Sequence, residues 1–337
     1  QGQVIWGPSL REVLLARNVT PDFQFSREQD ECRLDYIHRR TPTADIYFVR
    51  NMQSQPVRVR ATFRVADQLP EFWSPDTGEM QPCWVYQRAD DGVQVPLSLA
   101  PDGSLFVVFR NREASTHLVA ASADIDVLAV REEGVSVVAH SNGVHQLTTP
   151  SGNQLSVSVN ELPAPLELSQ PWELRFLSGR GAPEKMTMAQ LESWTESEEE
   201  RIKHYAGIVR YVTTFEVPDS WVAQGRGVRL DLGSLWAVGQ VRVNDTDLGV
   251  VWKPPYQLDL GQCVKPGQNQ LVVEVANTWS NRLVGDALLP AEQRIGRTNV
   301  TRSGTPGLPW KQVPLHKSGL LGPVRLVPTV ERTVSLK

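Results

Sequence analysis

Short runs of alternating apolar and polar residues, separated by turn residues, limit the fold of this chain more than any other feature of its sequence. The clearest run is residues 57–63, Val-Arg-Val-Arg-Ala-Thr-Phe, in which every second residue is apolar and lies on one face of an extended strand. Glycine-containing turns recur between such runs, at residues 76–78, 91–92, 102–103, 142–143 and 151–152. This spacing is typical of antiparallel sandwiches rather than of helices. The sequence therefore predicts a mainly all-β fold.

The length of 337 residues predicts more than one core, because single domains usually hold roughly 100–200 residues. Two antiparallel β-sandwich domains are predicted, since the strand pattern pauses once, in a charged stretch with helical character, and then resumes. The predicted divisions are residues 1–44, 45–178 for the first sandwich, 179–204 for a linker with a short helix, and 205–337 for the second sandwich. In the linker, Thr187-x-x-Gln190 predicts the cap of a helical turn that carries Met188 and Leu191. Beyond it, strands are predicted at residues 208–217 and 238–243 among others.

Residues 1–44 are predicted to be a short α/β remnant and a connection. The sequence Val-Ile-Trp at residues 4–6 predicts a strand, and the capping box Ser9-x-x-Glu12 predicts the start of a helix. Such a pair needs a second parallel strand and another layer to bury its apolar faces. Because none follows in the sequence, we expect the chain to be a fragment, with the rest of an α/β domain upstream of Gln1.

Composition argues against several classes of partner. The 34 basic and 38 acidic side chains are interspersed, so no basic stripe is available for nucleic acid. No apolar run approaches the roughly 20 residues of a transmembrane helix, and we expect no membrane partner. Cys32, Cys83 and Cys263 lack metal-ligand spacing, so the sequence predicts neither a zinc site nor a disulfide framework.

Several longer motifs carry a resemblance to known enzymes. The second domain contains Leu230-Asp231-Leu232-Gly233, Val241-Arg242-Val243-Asn244, Leu248-Gly249-Val250-Val251-Trp252 and Gly267-x-Asn269-x-Leu271. This set resembles the sugar-binding, galactose-binding-like jelly roll of family 2 glycosidases. The string from Asn277-Thr278-Trp279 to Gly285-Asp286, with Ser318-Gly319-Leu320 beyond it, resembles the C-terminal region of glycoside hydrolase family 106, the α-L-rhamnosidases. Motifs of the first half occur in the same order in that family: Ile37-His38-Arg39-Arg40, Asp45-Ile46-Tyr47-Phe48 and Trp73-Ser74-Pro75-Asp76.

The resemblance implies a division of labour between this chain and the rest of the enzyme. In that family a catalytic barrel, with the reacting carboxylates and an active-site calcium, lies N-terminal to the motifs quoted above. No catalytic residue is therefore assigned to this chain, and no cofactor is expected in it, whereas calcium is expected in the full-length enzyme. Metal binding by this chain itself is left open.

The expected function follows from that division. We expect a non-catalytic part of a polysaccharide-degrading glycosidase, periplasmic or secreted, that supports the upstream barrel and contacts plant or microbial polysaccharide. One alternative is a stand-alone, lectin-like carbohydrate-binding module. Another is a self-contained glycosidase, which would need two carboxylates facing each other across one cleft.

Two groups of residues in the second domain are candidates for carbohydrate contact. Asn277, Trp279, Asn281, Arg282 and Asp286 offer amides and a guanidinium for hydroxyl groups and an indole for a sugar face. The favoured interpretation of this first group is structural, with Arg282 and Asp286 paired, partly buried and holding the long segment 277–319 in place.

The second group lies beside prolines that stiffen its loops, and consists of Trp252, Tyr256 and Trp310. These aromatic residues either line a carbohydrate cleft shared with the barrel or pack between domains. His38, just before the first sandwich, is a further candidate, although a lone histidine is more often a structural hydrogen-bonding residue.

Overall fold

The computed structural model describes residues 3–27, 32–66, 68–111, 116–304 and 307–336. The chain divides into two compact units, Gln1–Asn160 with Arg332–Lys337, and Glu161–Glu331. Each unit is built from antiparallel β-sheets, which confirms the mainly all-β prediction. No helix within the described ranges combines the length and hydropathy needed to span a bilayer.

The described residues of the first unit form one helix and a series of short strands. They are α1 (Leu10–Ala16), β1 (Phe23–Arg27), β2 (Leu34–Arg40), β3 (Ala44–Asn51), β4 (Val57–Phe63), β5 (Leu69–Trp73), β6 (Met80–Pro82), β7 (Gln87–Ala89), β8 (Gly92–Leu99), β9 (Ser104–Arg110), β10 (Ala120–Ala121), β11 (Ile125–Val130), β12 (Gly134–Ala139), β13 (Gly143–Thr148) and β14 (Gln154–Val159). One sheet has the order β1-β4-β8-β7 and another β2-β3-β9-β5-β6. A single core of buried residues from both sheets joins them into a sandwich.

The alternation of apolar and polar residues in 57–63 matches the alternation of buried and exposed side chains in β4. Val57, Val59, Ala61 and Phe63 of β4 are buried, whereas the arginines between them are exposed. β13 and β14 pair in a smaller sheet with β10, and β11 pairs with β12. The prediction of strands with one apolar face is confirmed for this unit.

The N-terminal residues differ in part from their prediction. The capping box is present, because the Ser9 amide donates to Glu12 at 2.6 Å and the Glu12 amide to the Ser9 hydroxyl at 3.3 Å. The strand predicted for residues 4–6 is wrong, since those residues have no strand partner. Residues 23–27 and 34–40, predicted to lie in the remnant and linker, form β1 and β2, which pair with β4 and β3. Burial of Phe23 against Phe63, with ring centroids 5.1 Å apart, explains why β1 joins the sandwich.

The second unit has a longer set of strands. They are β15 (Leu166–Glu167), β16 (Trp172–Phe176), β17 (Lys185–Met188), β18 (Ile208–Val217), β19 (Arg226–Asp231), β20 (Ser234–Trp236), β21 (Val238–Val243), β22 (Thr246–Val251), β23 (Gln257–Asp259), β24 (Gly267–Ala276), β25 (Gly319–Gly322) and β26 (Arg325–Ser335), with helices α2 (Glu200–Lys203) and α3 (Ser280–Ala287). The last strand passes from the second unit into the first at Arg332.

Two sheets enclose the core of the second unit. One has the order β17-β16-β18-β24-β21-β22, and in the other β26 pairs with β19 and β19 with β23. β16 and β17 belong to the first of these sheets, because β16 pairs with both β17 and β18. The second unit begins at Glu161, whereas the sequence prediction placed residues 172–178 in the first sandwich. The helical turn predicted at Thr187 is wrong, because Lys185–Met188 is a strand that buries Met188. The further identification of this sandwich as a galactose-binding-like jelly roll stays a prediction.

A polar contact inside this core requires a glycine. The buried Tyr211 hydroxyl accepts hydrogen bonds from the Trp194 indole at 2.5 Å and from the Leu320 amide at 3.2 Å. Burial raises the pKa of Tyr211, so its hydroxyl is neutral. A Cβ atom on Gly319 would lie 2.5 Å from that hydroxyl and 2.6 Å from the indole nitrogen, and the φ of Gly319 is +103°. This position has no room for any other side chain.

We therefore expect Gly319→Ala to lower the free energy of unfolding by about 2 kcal/mol or more beyond the cost of positive φ alone, because it overpacks a buried contact. Gly249→Ala is the matched control, since Gly249 has a φ of +92° and open space around its Cβ position. Urea unfolding of both variants, followed by tryptophan fluorescence, measures the difference. Equal losses in the two variants would contradict the packing explanation.

Candidate carbohydrate-contact site

Three exposed tryptophans gather at one end of the sheet in the second unit. Trp236 stands just before β21, Trp252 just after β22, and Trp279 shortly after β24. Antiparallel pairing places Val238, at the start of β21, opposite Ala276, at the end of β24, and aligns the end of β22 beside them. The three side chains are 42%, 53% and 59% exposed. The indoles therefore lie at the same end of the sheet and face solvent.

The side chains of Asn277, half-buried, and Asn281, buried, hold the backbone on either side of Trp279. The Asn277 amide nitrogen donates to Tyr205 O at 2.8 Å, and its oxygen accepts from the Gly207 amide at 3.0 Å. The Asn281 amide group exchanges two hydrogen bonds with the backbone of His316, at 2.7 and 2.9 Å. Both amide nitrogens also donate to the buried Ser318 hydroxyl at 3.1 Å. These asparagines serve structure, as the favoured interpretation of the sequence predicts.

Helix α3 carries a buried ion pair. Arg282 Nε lies 3.0 Å from Asp286 Oδ1, and the two side chains are 9% and 6% exposed. The Nε–H of Arg282 is not directed at a hydrogen-bond acceptor, so the contact is one of charge rather than a hydrogen bond. The Asp286 oxygens instead accept hydrogen bonds from the amides of Ile295 and Gly296, at 3.1 and 2.7 Å. The predicted burial and pairing of Arg282 and Asp286 are confirmed.

A cleft opens beside Trp279 and the ion pair. Its lining residues are Arg180, Ala206, Trp279, Arg282, Ile295, Gly296 and Arg297, and its volume is about 120 Å³. That volume is below the roughly 300 Å³ at which pockets for drug-sized ligands begin, so the cleft suits one sugar ring or one of its substituents. Glycine permits the close packing around it, because a Cβ on Gly285 would lie 2.6 Å from both His204 Cβ and Arg282 Nη2.

The remaining aromatic candidates are positioned differently from one another. Trp252 is exposed, and the Lys253 ammonium lies 5.4 Å from the centre of its ring. Tyr256 packs half-buried against the core, and burial raises its pKa. The Trp310 indole donates to Val300 O at 2.9 Å, which ties together two parts of the segment 277–319. Of the three, Trp252 has the surface that a sugar would need.

His38 belongs to the first unit and lies between two carboxylates. Its Nδ1 is 3.0 Å from Asp22 Oδ2, its Nε2 is 2.8 Å from Asp45 Oδ1, and its ring stacks on Tyr47 with centroids 3.9 Å apart. Arg40 Nε donates to the same Asp45 oxygen at 2.7 Å. Burial by itself raises the pKa of Asp45, but the hydrogen bonds from Arg40 and His38 outweigh burial and leave that pKa lowered. His38 therefore acts as a structural link between β2 and β3.

Sequence reasoning did not select three of the residues that line this end of the second unit. Trp236 precedes β21 in a short strand, Arg180 lies between two glycines, and Arg297 lies in an irregular part of the segment 277–319. None belongs to a periodic pattern, and only the folded chain brings them near Trp279. Within the described ranges, no group of three or more His, Cys, Asp or Glu side chains is placed to bind a metal ion.

We expect Asp286→Ala to destabilise the second unit by about 3–5 kcal/mol, because it leaves the buried Arg282 charge without its counter-ion. Chemical denaturation measures the change. Glu292→Ala, which removes an exposed carboxylate from the same segment, is the control and should change stability by less than about 0.5 kcal/mol. An Asp286→Ala protein as stable as this control would contradict the structural role of the pair.

A second prediction concerns acid stability. Because the pKa of Asp45 is lower in the folded protein than in the unfolded chain, its contribution to stability is present above about pH 4 and is lost as pH falls through the folded value. Asp45→Asn should remove this part of the loss, so stability should fall less between pH 5 and about pH 3 than in the parent. Melting temperatures across that range test it, with the exposed Asp90→Asn as control. Identical acid profiles for the parent and Asp45→Asn would contradict the prediction.

Comparison with known proteins identifies related glycoside hydrolases. The family model described as alpha-L-rhamnosidase, of glycoside hydrolase family 106, matches residues 1–88. The structure of a rhamnosidase from Novosphingobium sp. PP1Y matches 95% of this chain, with a TM-score of 0.72 and 32% sequence identity. A putative beta-glucuronidase from Formosa agariphila is 33% identical over a 201-residue alignment that covers 55% of this chain.

The chain spans only part of these relatives, 26% of the rhamnosidase and 17% of the glucuronidase. The rhamnosidase match nevertheless extends over almost all of this chain, and the family match covers its first 88 residues. The resemblance to the α-L-rhamnosidases of glycoside hydrolase family 106, predicted from the sequence motifs, is thereby confirmed.

Proposed function

We propose that this chain is a non-catalytic part of a rhamnosidase-like glycoside hydrolase, and that the end of its second unit contacts carbohydrate. The observation that carries the proposal is the group of exposed indoles, Trp236, Trp252 and Trp279, at one end of the sheet. An indole presents a flat apolar face that matches the C–H face of a pyranose, and its N–H can donate to a hydroxyl group. Exposed tryptophans are otherwise costly on a protein surface, since they leave apolar area in water.

The rigidity of this surface supports a binding role. The backbone on both sides of Trp279 is fixed by the amides of Asn277 and Asn281, and Trp236 stacks on His316 with ring centroids 6.5 Å apart. A preformed site loses little conformational entropy when a ligand binds, which favours affinity for a weakly held sugar.

A catalytic role for these residues has less support. Hydrolysis of a glycosidic bond needs two carboxylates with space for the sugar, and in inverting enzymes also for water, between them. Asp22 and Asp45 face each other, but the ring of His38 fills the space between them. Asp286 is buried and already contacts Arg282, Ile295 and Gly296. We therefore assign hydrolysis to a catalytic barrel elsewhere in the polypeptide.

The N-terminal segment is the proposed face toward that barrel. Val4, Trp6 and Leu10 are 77%, 83% and 74% exposed, and no residue of α1 is buried. Exposed apolar side chains on a capped helix and on the residues just before it favour packing against another protein layer. In this proposal the first unit supports the barrel, while the second presents its tryptophans to the polysaccharide.

The proposal is tested by measuring hydrolysis and binding on the same purified protein. We expect no release of the aryl group from an aryl α-L-rhamnoside, and binding to a rhamnose-containing polysaccharide in affinity electrophoresis. The double variant Trp252→Ala, Trp279→Ala should bind at least about tenfold more weakly, the effect of losing roughly 1.4 kcal/mol of contact energy. Its melting temperature should be unchanged, because both side chains are exposed.

Trp6→Ala is the matched control, since it removes an even more exposed indole from the first unit and should leave binding unchanged. Turnover that is abolished by one carboxylate substitution would overturn the non-catalytic assignment. Binding that survives the double variant would place the carbohydrate elsewhere on the chain.

A further inference from the structure

We infer that the cleft beside Trp279 binds an acidic sugar, a pyranose that carries a carboxylate, through Arg180, Arg282 and Arg297. This inference rests on the proposed function, because it assigns a ligand class to the same end of the second unit. Three guanidinium groups and one indole line a cleft of about 120 Å³. This combination of positive charge and aromatic surface distinguishes the cleft from the surface around Trp236 and Trp252.

Arg282 supplies the fixed positive charge of the cleft. Its side chain is 9% exposed and lines the cleft, and its Nε–H meets no well-aligned acceptor among the described residues. Gly285 packs closely against it, because Arg282 Nη2 lies only 2.6 Å from where a Cβ on Gly285 would stand. A charge in such a buried position is weakly screened by solvent, so the arrangement favours a ligand that offers negatively charged oxygen atoms.

Arg180 and Arg297 supply two further positive charges from two loops that contact each other. The loop of Arg180 contacts the loop of Arg297, because a Cβ on Gly181 would lie 2.5 Å from Ile295 Cδ1. Both arginines are exposed, and neither has an ion-pair or hydrogen-bond partner within the described ranges. Like charges on adjacent loops repel each other, and an anion between them relieves that repulsion.

The charge balance of the cleft is positive even after the ion pair is counted. Of the residues that line it, three are arginines and none is acidic, and the nearby Asp286 can neutralise only one positive charge. The oxygens of Asp286 are already occupied by the amides of Ile295 and Gly296. The cleft therefore retains about two uncompensated positive charges, and planar guanidinium groups match the two oxygens of a carboxylate.

The exposed indole selects a sugar over a simple anion. Trp279 is 59% exposed and lines the same cleft, so a ring held by its carboxylate can lie against the indole face. Sulfate or phosphate would use the arginines and leave the indole without a contact. The two sources of negative charge are thus distinguished by whether Trp279 contributes to binding.

The experiment compares one ligand with its own neutral counterpart. Trigalacturonate and its carboxyl-reduced form have the same rings and differ only in the acidic group. Titration calorimetry on the full chain should show at least about tenfold tighter binding of the acidic form at low salt, and a smaller preference at 0.5 M NaCl. Arg180→Gln and Arg297→Gln should each reduce that preference about fivefold or more, while Trp279→Ala should weaken both ligands.

Arg242→Gln is the matched control, because Arg242 is an exposed arginine of the same unit at the opposite end of β21. Equal affinity for the acidic and reduced forms would overturn this inference and leave the proposed function standing. Failure of both ligands and of neutral polysaccharide to bind would overturn both. Two results together would show a simple anion site and contradict the assignment of a sugar. They are displacement of bound trigalacturonate by sulfate at concentrations similar to those of trigalacturonate itself, and an affinity of Trp279→Ala for trigalacturonate equal to that of the parent.

Discussion

Hydrogen bonds from two side-chain amides, one buried and one half-buried, determine the arrangement of the end of the second unit. Asn277 and Asn281 donate to the same Ser318 hydroxyl, and their other hydrogen bonds reach the backbone of Tyr205, Gly207 and His316. Each such group costs about 1–3 kcal/mol if it is left unsatisfied in the interior. The segment 277–319 can therefore leave this conformation only by losing several hydrogen bonds together. Trp279 lies between the two asparagines in sequence, so their hydrogen bonds fix the position of its backbone.

This framework separates residues that maintain the fold from residues that can meet a ligand. Asn277, Asn281 and Asp286 have their polar atoms occupied within the protein, whereas Trp252 and Trp279 have unoccupied surface. Arg282 belongs to both groups, because it pairs with Asp286 and also lines the cleft. A binding surface built on such a framework keeps its shape without a ligand. That property suits an accessory region of an enzyme that holds an extended substrate while a different domain performs the reaction.

Periodicity predicted the strands well wherever burial alone decides the structure. The predicted strands at residues 208–217 and 238–243 coincide with β18 and β21, because each alternates between the core and solvent. The errors lie where distant contacts decide. Met188 is buried in a strand despite a local helix-capping pattern, and the apolar residues 4–6 form no strand.

The candidate site could be predicted only in part for the same reason. The motif from Asn277 to Asp286 pointed to the correct segment, and the spacing of Arg282 and Asp286 predicted their pairing. Trp236, Arg180 and Arg297 come from separate segments that carry no motif. Their proximity to Trp279 arises from strand register and from loop packing around Gly181 and Gly285, which no local pattern contains.

Indole N–H signals in nuclear magnetic resonance spectra of ¹⁵N-tryptophan-labelled protein give the most direct test of a carbohydrate surface at this end of the second unit. The chain has ten tryptophans, and substitution of single residues assigns their signals. Titration with a rhamnose-containing oligosaccharide is predicted to shift the signals of Trp252 and Trp279 and to leave those of the buried Trp172 and Trp194 unchanged. Shifts confined to Trp6, Trp73 or Trp84 of the first unit, or the absence of any shift at saturating ligand, would contradict the account.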